Sequence, residues 1–388
     1  LSYYKIASKF VKNEDSFIIN TYLSKINEFR LELALGQFPQ RWQSLTPEIS
    51  SKPDQELRKK LTKKFENKSI DKLETILRSL LFELIPVCYL EGLSNLYDVI
   101  DLQPWPKNPK FIFTSNNFYR DELFKLWTAT KVVSGSKYYV GQHGNNYYTR
   151  KNKFPRIEEK TADRFITWGW SNKLSKYKEG FIFTTAGKNS SNYNSKGSLL
   201  LVETSQSLRF TTWDSTLEHI KYFDDQKIFV DNLAVGPKRK LIIRLNGLQK
   251  SRKFNEVSRW LDFDNKLNID LGKTSIKSLI NNSRLVVHSY DSSGILETLS
   301  NNIPTLAFWQ NDLDHLREKV KPQYQLLIDV GILHLSSKSA ANKINEIWND
   351  VDNWWKQNLV QEARKSFCNS FAKDCIDPVK SMISILSS

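Results

Sequence analysis

The sequence predicts an α/β protein built from two domains, each with its own parallel sheet. Short apolar runs rich in β-branched and aromatic residues, such as residues 110–114, 137–141 and 199–203, alternate with helical patterns. Polar residues of the types that cap helices follow several of these strands. The Asn-, Ser- and Gly-rich residues 188–197 divide the alternation into two halves, which indicates a linker between two doubly wound domains.

The order of the elements defines the predicted boundaries. Residues 1–100 are mostly helical, and Pro86 splits the long apolar-periodic stretch 70–96. A βαβα series then covers residues 110–168, with helices at 121–130 and 157–165 and a polar loop at 142–154. We therefore predict an N-terminal α/β domain at 1–190, a second α/β domain at 197–365 and a C-terminal helix at 366–388. Two Rossmann-type domains that face each other across a cleft, with helices at both ends, form the GT-B-like plan that many glycosyltransferases share.

The second predicted domain resumes the alternation after the linker. Its predicted strands lie at residues 199–203, 240–244 and 267–271, with helices at 215–233 and 276–281. Residues 284–309 then read as strand, polar turn, short helix, loop and strand, and the tail 340–386 is helical with a break near Pro378.

The composition limits the classes of partner. The chain has 388 residues and a net charge of +15, yet no zinc motif or RNA-recognition signature accompanies its lysines, which argues against nucleic acid. An anionic membrane surface or glycolipid fits the charge better, and no apolar run is long enough to span a bilayer. Three cysteines without metal spacing favour a reducing, cytoplasmic compartment. Because the first residue is Leu1 and the only methionine is Met382, we expect a module of a longer parent chain.

Residues 284–309 carry the strongest indication of a nucleotide site. Ser292 and Ser293 open a predicted helix directly after a strand, where free backbone N–H groups favour an anion. Glu297, one turn later, is placed to accept hydrogen bonds from a ribose diol. Arg244 ends a strand and suits a phosphate or sugar carboxylate, although a structural salt bridge explains it equally well. His288 also ends a strand, and either a contact to the donor or a buried structural histidine accounts for it. Two further candidate donor contacts follow the first strand of this domain: Ser205 and Gln206.

The loop that begins at Gly141 carries the candidate chemistry. His143 lies between Gln142 and Gly144, where backbone can approach a ligand closely, and a neutral imidazole can act as a base or orient an acceptor hydroxyl. The alternative is a loop histidine bonded to backbone. Gln142 and Tyr147 belong to the same loop and are predicted to bind the acceptor.

A pair of carboxylates follows that loop. With Ile157 taken as the start of the helix, Glu158 falls in the middle of its apolar face and Glu159 at the edge. We predict Glu158, and less directly Glu159, as a nucleophile or general base, whereas stabilisation of the helix dipole is the structural alternative. Three polar residues after the strand at 110–114 are further acceptor candidates: Asn116, Asn117 and Asp121, of which Asp121 also suits a helix cap. Asp312 and Asp314 lack the context of a donor-strand metal motif, so no metal and no cofactor are predicted.

These motifs together resemble a known family. Gly141-Gln142-His143-Gly144 with Tyr147, then Glu158 or Glu159, then Thr167-Trp168-Gly169-Trp170 and residues 296–309, are similar to transferases of bacterial O-antigen clusters, a family first named from a spirochaete. The resemblance covers roughly residues 111–309. The usual second glycine after Gln-His-Gly is replaced by Asn145 and Asn146, which we expect to reshape the acceptor loop.

The resemblance implies a function as well as a fold. The family is similar to metal-independent GT-B glycosyltransferases and, more distantly, to retaining β-Kdo transferases. It therefore implies transfer of Kdo from CMP-β-Kdo to a lipid-linked O-antigen or capsule acceptor, at the inner face of the bacterial inner membrane. Two alternatives stay open: a polyol-phosphate transferase similar to teichoic acid polymerases, and a non-catalytic saccharide-binding module of a larger assembly enzyme.

Overall fold

The computed structural model describes residues 2–48, 50–66, 71–151, 155–187, 193–204, 219–247, 255–309 and 312–387. The chain forms two compact units. Unit 1 comprises Leu1–Thr21 and Glu32–Val140, and unit 2 comprises Tyr22–Leu31 and Gly141–Ser388.

The strands of the described residues, in chain order, are β1 (Phe17–Ile19), β2 (Phe111–Thr114), β3 (Lys137–Gly141), β4 (Arg164–Ile166), β5 (Tyr177–Lys178), β6 (Ser198–Val202), β7 (Leu241–Arg244), β8 (Asn268–Asp270), β9 (Ser283–His288), β10 (Thr305–Phe308) and β11 (Leu333–His334). The α-helices of the same residues are α1 (Ser2–Ala7), α2 (Lys25–Ala34), α3 (Gln55–Glu66), α4 (Lys72–Leu84), α5 (Leu93–Asp101), α6 (Glu122–Val133), α7 (Ile157–Thr161), α8 (His219–Asp231), α9 (Val235–Arg239), α10 (Glu256–Phe263), α11 (Ile276–Asn281), α12 (Ser293–Ser300), α13 (Lys321–Asp329), α14 (Ser337–Ile347), α15 (Val351–Trp355), α16 (Asn358–Phe371) and α17 (Pro378–Ser387).

Unit 1 is built on a parallel arrangement of β1, β2 and β3. Ile18 lies beside Phe113 in the β1–β2 pair, and Ile112 lies beside Tyr138 in the β2–β3 pair. All residues of β1 and β2 are buried, as expected for strands covered on both faces. Strand β1 lies in a region that the sequence predicts as helical, because three apolar residues are too few to show a period.

Unit 2 contains a six-stranded sheet in the order β11-β10-β9-β6-β7-β8, and every pair in it is parallel. Its central strands β6 and β9 are apolar and buried, with Leu200 packed in a core cluster with Leu279, Val286 and Ile303. Strands β4 and β5 form a second parallel pair. The carboxyl ends of β6, β7 and β9 come together at one edge, where ligands of open α/β sheets bind.

The break around Pro86 and the break before Pro378 match the predicted pattern, whereas the predicted C-terminal helix at 366–388 is divided between α16 and α17. The apolar stretch around Pro86 is split, with α4 ending at Leu84 and α5 beginning at Leu93. The tail is helical, and α17 begins at Pro378, as predicted. Within the described residues, no helix combines the length and the apolar character that a membrane span requires.

Candidate functional site

Gln142 fixes the loop that follows β3. Its Oε1 atom accepts hydrogen bonds from the backbone N–H of Trp168 at 3.0 Å and from Nε1 of Trp170 at 2.8 Å. Its Nε2 atom donates to the carbonyl oxygen of Gly144 at 2.9 Å, and its backbone N–H donates to Ile166 at 2.8 Å. Gln142 is buried, so the geometry gives its amide a role in positioning the loop. Its predicted contact with an acceptor stays a prediction.

A relay of three side chains crosses this loop. The hydroxyl of Tyr147 donates to Oε1 of Glu158 at 2.6 Å and lies 3.0 Å from Nδ1 of His143. Because the only phenol proton goes to the carboxylate, the phenol oxygen accepts from Nδ1–H of His143. That tautomer places the imidazole lone pair on Nε2, as a base requires. The structure thus brings together two of the three residues predicted as catalytic, His143 and Glu158, and joins them through Tyr147, which was predicted for the acceptor.

Burial and a cation hold the relay in place. Tyr147 is 1 % exposed and Glu158 is 7 % exposed, and the guanidinium of Arg156 lies 3.9 Å from the centre of the Tyr147 ring. The predicted helix at residues 157–165 is too long, because α7 ends at Thr161 and β4 begins at Arg164. Ile157, taken as the start of the helix, is 77 % exposed. Helix α7 has only five residues, so a single turn sets the direction of each side chain and the periodicity of a longer helix does not apply.

Glu159 lies beside the relay in a different environment. Its Oε1 atom accepts from the backbone N–H of Arg156 at 3.0 Å, which caps the start of α7. Burial raises its pKa to about 6, against the opposing effect of Arg156. Burial and the neighbouring Glu159 raise the pKa of Tyr177 to about 12. Both glutamates are therefore buried, but only Glu158 bonds to Tyr147.

The loop is also bonded to the start of α12. The backbone N–H of Asn145 donates to Oγ of Ser293 at 2.9 Å, and its side-chain amide donates to Oδ1 of Asp291 at 2.6 Å. The other carboxylate oxygen of Asp291 lies 3.1 Å from Nε2 of His315. A Cβ atom on Gly144 would lie 3.2 Å from the Ser293 hydroxyl, so the approach is close. The loop that carries His143 is therefore hydrogen-bonded to the start of α12, where Ser292 and Ser293 are predicted to bind the donor.

The ring of His288 contacts the first turns of α12 from within the core. Its ring nitrogens lie 3.3 Å from Oγ1 of Thr298 and 3.5 Å from Oγ of Ser292. Burial lowers its pKa to about 3, so the ring is neutral at physiological pH. Gly294 packs on the ring, since a Cβ there would lie 2.7 Å from Cε1 of His288. These contacts describe the buried structural histidine that the sequence left as an alternative.

Arg244 is held by an ion pair. Its guanidinium lies 2.5 Å from Oδ1 of Asp270, at the end of the neighbouring strand β8. Burial opposes ionisation of Asp270, but bonds from Thr274, Arg244 and Gly272 keep the pKa of this carboxyl below its usual value. Glu297 lies one turn into α12 and is half-buried. The predicted donor contacts Ser205 and Gln206 lie outside the described residues.

The acceptor candidates of unit 1 line a polar cavity of about 430 Å³, which is bounded by Asn20, Ser44, Asn116, Asn117, Tyr119, Arg120 and Asp121. Asn117 accepts from Asn20 at 2.6 Å and from Ser44 at 2.7 Å, and donates to Asp121 at 3.1 Å. Asp121 also caps α6 by accepting from the backbone N–H of Phe124 at 2.8 Å. Asn117 and Asp121 are thus buried in the wall, whereas Asn116 is half-buried and Arg120 is exposed.

One buried carboxyl near the sheet edge was missed. Glu203 directly follows β6 and is 5 % exposed, and Nε1 of Trp260 donates to it at 3.2 Å. Burial, with a smaller contribution from Glu256, raises its pKa to about 8 against the opposing effect of the Trp260 hydrogen bond. The sequence could have indicated Glu203, because it lies at the carboxyl end of a strand. Arg244 and His288, which were predicted as donor contacts, lie at the carboxyl ends of their own strands. Within the described residues, no three His, Cys, Asp or Glu side chains form a group able to hold a metal ion.

A model of the LIC12162 family of transferases matches residues 2–386. The chain belongs to this family. This membership confirms the family resemblance predicted from the sequence. This LIC12162 family member is therefore a transferase. No curated protein matches the chain.

One solved structure supports the fold. A protein described as a UDP-N-acetylglucosamine 2-epimerase from Listeria monocytogenes is 10 % identical, with 97 % of this chain and 96 % of that one covered at a TM-score of 0.50. Together with the two parallel sheets, this likeness confirms the predicted GT-B-like α/β class. MurG of Acinetobacter baumannii is 8 % identical over 96 % of this chain and 99 % of that one, with a TM-score of 0.41. The wall teichoic acid polymerase TagF is 12 % identical over 72 % of each chain, with a TM-score of 0.37.

The structure explains how this family member replaces a glycine in its loop. Asn146 has a φ of 74°, in the left-handed region that glycine favours and that asparagine enters more readily than most residues. The backbone of the loop therefore keeps a conformation that glycine would also adopt. Asn145 adds its bonds to Asp291 and Ser293.

Proposed function

We propose that this transferase is a glycosyltransferase that moves a sugar from a nucleotide donor to a hydroxyl of a lipid-linked glycan. The observation that carries the proposal is the relay from Glu158 through Tyr147 to His143. Transfer to a hydroxyl requires a base, and a neutral imidazole whose Nδ1–H is fixed by a buried acceptor is well suited to that task.

The relay defines a role for each residue. Nε2 of His143 takes the proton of the acceptor hydroxyl as that oxygen bonds to the anomeric carbon. The bond from the anomeric carbon to the phosphate oxygen of the donor breaks in the same step, and the nucleotide leaves with the electron pair. The resulting imidazolium is stabilised through the Tyr147 hydroxyl, which remains bonded to the Glu158 carboxylate. Glu158 acts in this scheme through Tyr147, as a positioning and electrostatic group. Its burial supports this role over that of a nucleophile at the anomeric carbon.

The donor site proposed here centres on the start of α12. Ser292 is the residue before the helix and Ser293 the first within it, so backbone N–H groups at this end favour the phosphate of a nucleotide. Glu297 is proposed for the ribose, and Ser205 and Gln206 remain donor predictions from the sequence. Arg244 is proposed to reach the donor while it stays paired with Asp270, and His288 to support the helix start from within the core.

The identity of the sugar is a finer proposal. The family resemblance implies CMP-β-Kdo as the donor, transfer with retention, and an O-antigen or capsule acceptor. A single displacement assisted by His143 instead inverts the anomeric centre, so the configuration of the product tests the two against each other. The polar cavity at Asn116, Asn117 and Asp121 is proposed to bind the acceptor glycan. The net charge of +15 supports a peripheral location on anionic lipid at the inner face of the inner membrane.

The test pairs ligand binding with turnover. The melting temperature is measured with CMP, UDP, GDP and CDP to identify the nucleotide that binds. An increase with CMP is the expected result. Transfer to a membrane-extracted acceptor is then measured for His143→Ala and Glu158→Gln, each expected to lose about 10²- to 10⁴-fold in rate. His334→Ala and Glu179→Gln are the matched controls, since both lie outside the proposed site.

Several outcomes contradict parts of this proposal. Full activity of both variants would refute the catalytic assignment. A phosphodiester product would indicate the polyol-phosphate alternative, and the absence of any nucleotide response or turnover would indicate a saccharide-binding module. Stabilisation by UDP or GDP in place of CMP would refute Kdo as the donor. The anomeric configuration of the product, read by NMR, decides between retention and the inversion that a single base-assisted displacement gives.

A further inference from the structure

The polar cavity of unit 1 lies at the carboxyl ends of two neighbouring strands. Strand β1 ends at Ile19 and β2 ends at Thr114, and the two strands are parallel. Asn20 directly follows β1, whereas Asn116 and Asn117 follow β2. Ligands of open α/β sheets bind outside this edge, and a volume of about 430 Å³ lies within the range of about 300–1,000 Å³ for small-molecule sites. The position and the volume of the cavity therefore suit one sugar residue or a molecule of similar size.

The groups that line the cavity match the surface of a sugar. Three amides and two hydroxyls contribute to the lining, from Asn20, Asn116, Asn117, Ser44 and Tyr119. Amides and hydroxyls both donate and accept hydrogen bonds, as the hydroxyls of a sugar require. The side chain of Tyr119 is 51 % exposed, and its ring offers a flat apolar surface to the C–H face of a pyranose. The lining therefore favours a saccharide.

Hydrogen bonds fix the wall of the cavity. Oδ1 of Asn117 accepts from Nδ2 of Asn20 at 2.6 Å and from the hydroxyl of Ser44 at 2.7 Å. Nδ2 of Asn117 donates to Oδ2 of Asp121 at 3.1 Å, and Oδ1 of Asp121 accepts from the backbone N–H of Phe124 at 2.8 Å. Both oxygens of the Asp121 carboxylate are thus bonded within the wall. A ligand therefore meets a wall whose polar side chains are already oriented.

Arg120 adds a positive charge to the lining of the cavity. The guanidinium is exposed, and it has no ion pair and no hydrogen bond with any described part of the chain. The two carboxylates that follow it are both engaged, because Asp121 is buried in the wall and Glu122 pairs with Lys125 at 2.6 Å. A guanidinium binds a carboxylate through two parallel hydrogen bonds, which a neutral sugar cannot reproduce. The charge of Arg120 therefore favours an acidic sugar over a neutral one.

We propose that this cavity binds a pyranose that carries a carboxylate, of the uronic acid class. Arg120 binds the carboxylate, the amides and Ser44 bind ring hydroxyls, and Tyr119 packs on the apolar face of the ring. The role of this sugar as part of the acceptor glycan rests on the proposed function. Its binding does not depend on the roles of His143 and Glu158.

The experiment compares sugars that differ only at C6, with the full chain as receptor. The pairs are methyl glucuronide with methyl glucoside, and methyl galacturonide with methyl galactoside, and affinities are measured by saturation-transfer NMR titration. The wild type is expected to bind at least one acidic sugar about tenfold more tightly than its neutral partner. Arg120→Gln is expected to remove this preference, and Arg120→Lys to retain part of it, since lysine keeps the charge without the paired hydrogen bonds. The control is Arg239→Gln, which removes the same charge from an exposed arginine of unit 2 and is expected to bind like the wild type.

Several results would overturn the proposal. They are equal affinity of the wild type for the acidic and neutral members of both pairs, a preference that survives in Arg120→Gln, and the same loss in Arg239→Gln. Tighter binding of glucose 6-phosphate than of either uronide would assign Arg120 to a phosphate and likewise overturn the carboxylate. Melting temperatures show that each variant is folded.

Tyr119→Ala tests the packing of the ring separately from the charge. It is expected to weaken the acidic and the neutral sugar by the same factor of about two to ten, and unchanged affinities would overturn the role of the ring. Transfer to the membrane-extracted acceptor is measured in parallel with wild-type protein. Normal transfer without a preference for either uronide refutes this proposal alone, whereas uronide binding without any transfer refutes the proposed function alone.

Discussion

Replacing Glu203 by Gln is expected to stabilise unit 2, and increasingly so as the pH rises. Glu203 is buried beside Trp260, and burial followed by Glu256 raises its pKa from 4.5 to about 8. Because the folded protein keeps this proton while the unfolded chain releases it above about pH 4.5, the wild type loses stability as the pH rises from 4.5 to 8. At about 1.4 kcal/mol per pH unit, the full loss is about 5 kcal/mol, of which about 3.5 kcal/mol falls between pH 5 and pH 8.

Glutamine keeps the shape of the side chain and its hydrogen bond to Trp260 but has no proton to lose. The assay is urea unfolding of the wild type and Glu203→Gln at pH 5 and pH 8, followed by tryptophan fluorescence. The difference in unfolding free energy between the two proteins is expected to grow by about 3.5 kcal/mol between these pH values. Glu179→Gln, an exposed change, is the control and should give no such growth. Parallel pH profiles for the wild type and Glu203→Gln would refute the reasoning.

Three further predictions concern the site and its supports. Tyr147→Phe is expected to reduce transfer about 10- to 100-fold with little change in melting temperature, because it breaks the relay but keeps the ring, and steady-state kinetics tests this. Asn145→Ala is expected to lower the melting temperature and slow transfer by about tenfold, since it removes the bond to Asp291, and unchanged kinetics would contradict the role of loop docking. His288 has its pKa lowered to about 3, so the wild type should lose stability as the pH falls from 6.5 towards 3, whereas His288→Gln should not show that loss in acid unfolding.

The sequence predicted the strands of the site well, because buried parallel strands are short apolar runs with clear polar ends. Strand β3 and helix α11 have the predicted bounds, and β6 and β7 differ by one residue at their ends. His143 and Glu158 were both singled out, but their connection through Tyr147 depends on the path of the loop between them. No local pattern encodes that path.

Long-range pairing accounts for most of what the sequence did not reveal. The sequence does not indicate that Arg244 pairs with Asp270, which is 26 residues away. It also does not indicate that the amide of Gln142 bonds to Trp168 and Trp170. The periodicity of residues 70–96 predicted an apolar face on α4 but not what covers it. Periodicity reports that one side of a helix differs from the other, and only tertiary structure decides which side is packed.

If donor and acceptor bind where we propose, the bond between Asn145 and Ser293 makes their binding interdependent. A nucleotide that shifts the start of α12 would also move the backbone that carries His143, and an acceptor that repositions His143 would act on Ser293 in return. Thermodynamic linkage requires the two effects on affinity to be equal in size. Donor and acceptor should therefore bind cooperatively, and Asn145→Ala should weaken this cooperativity.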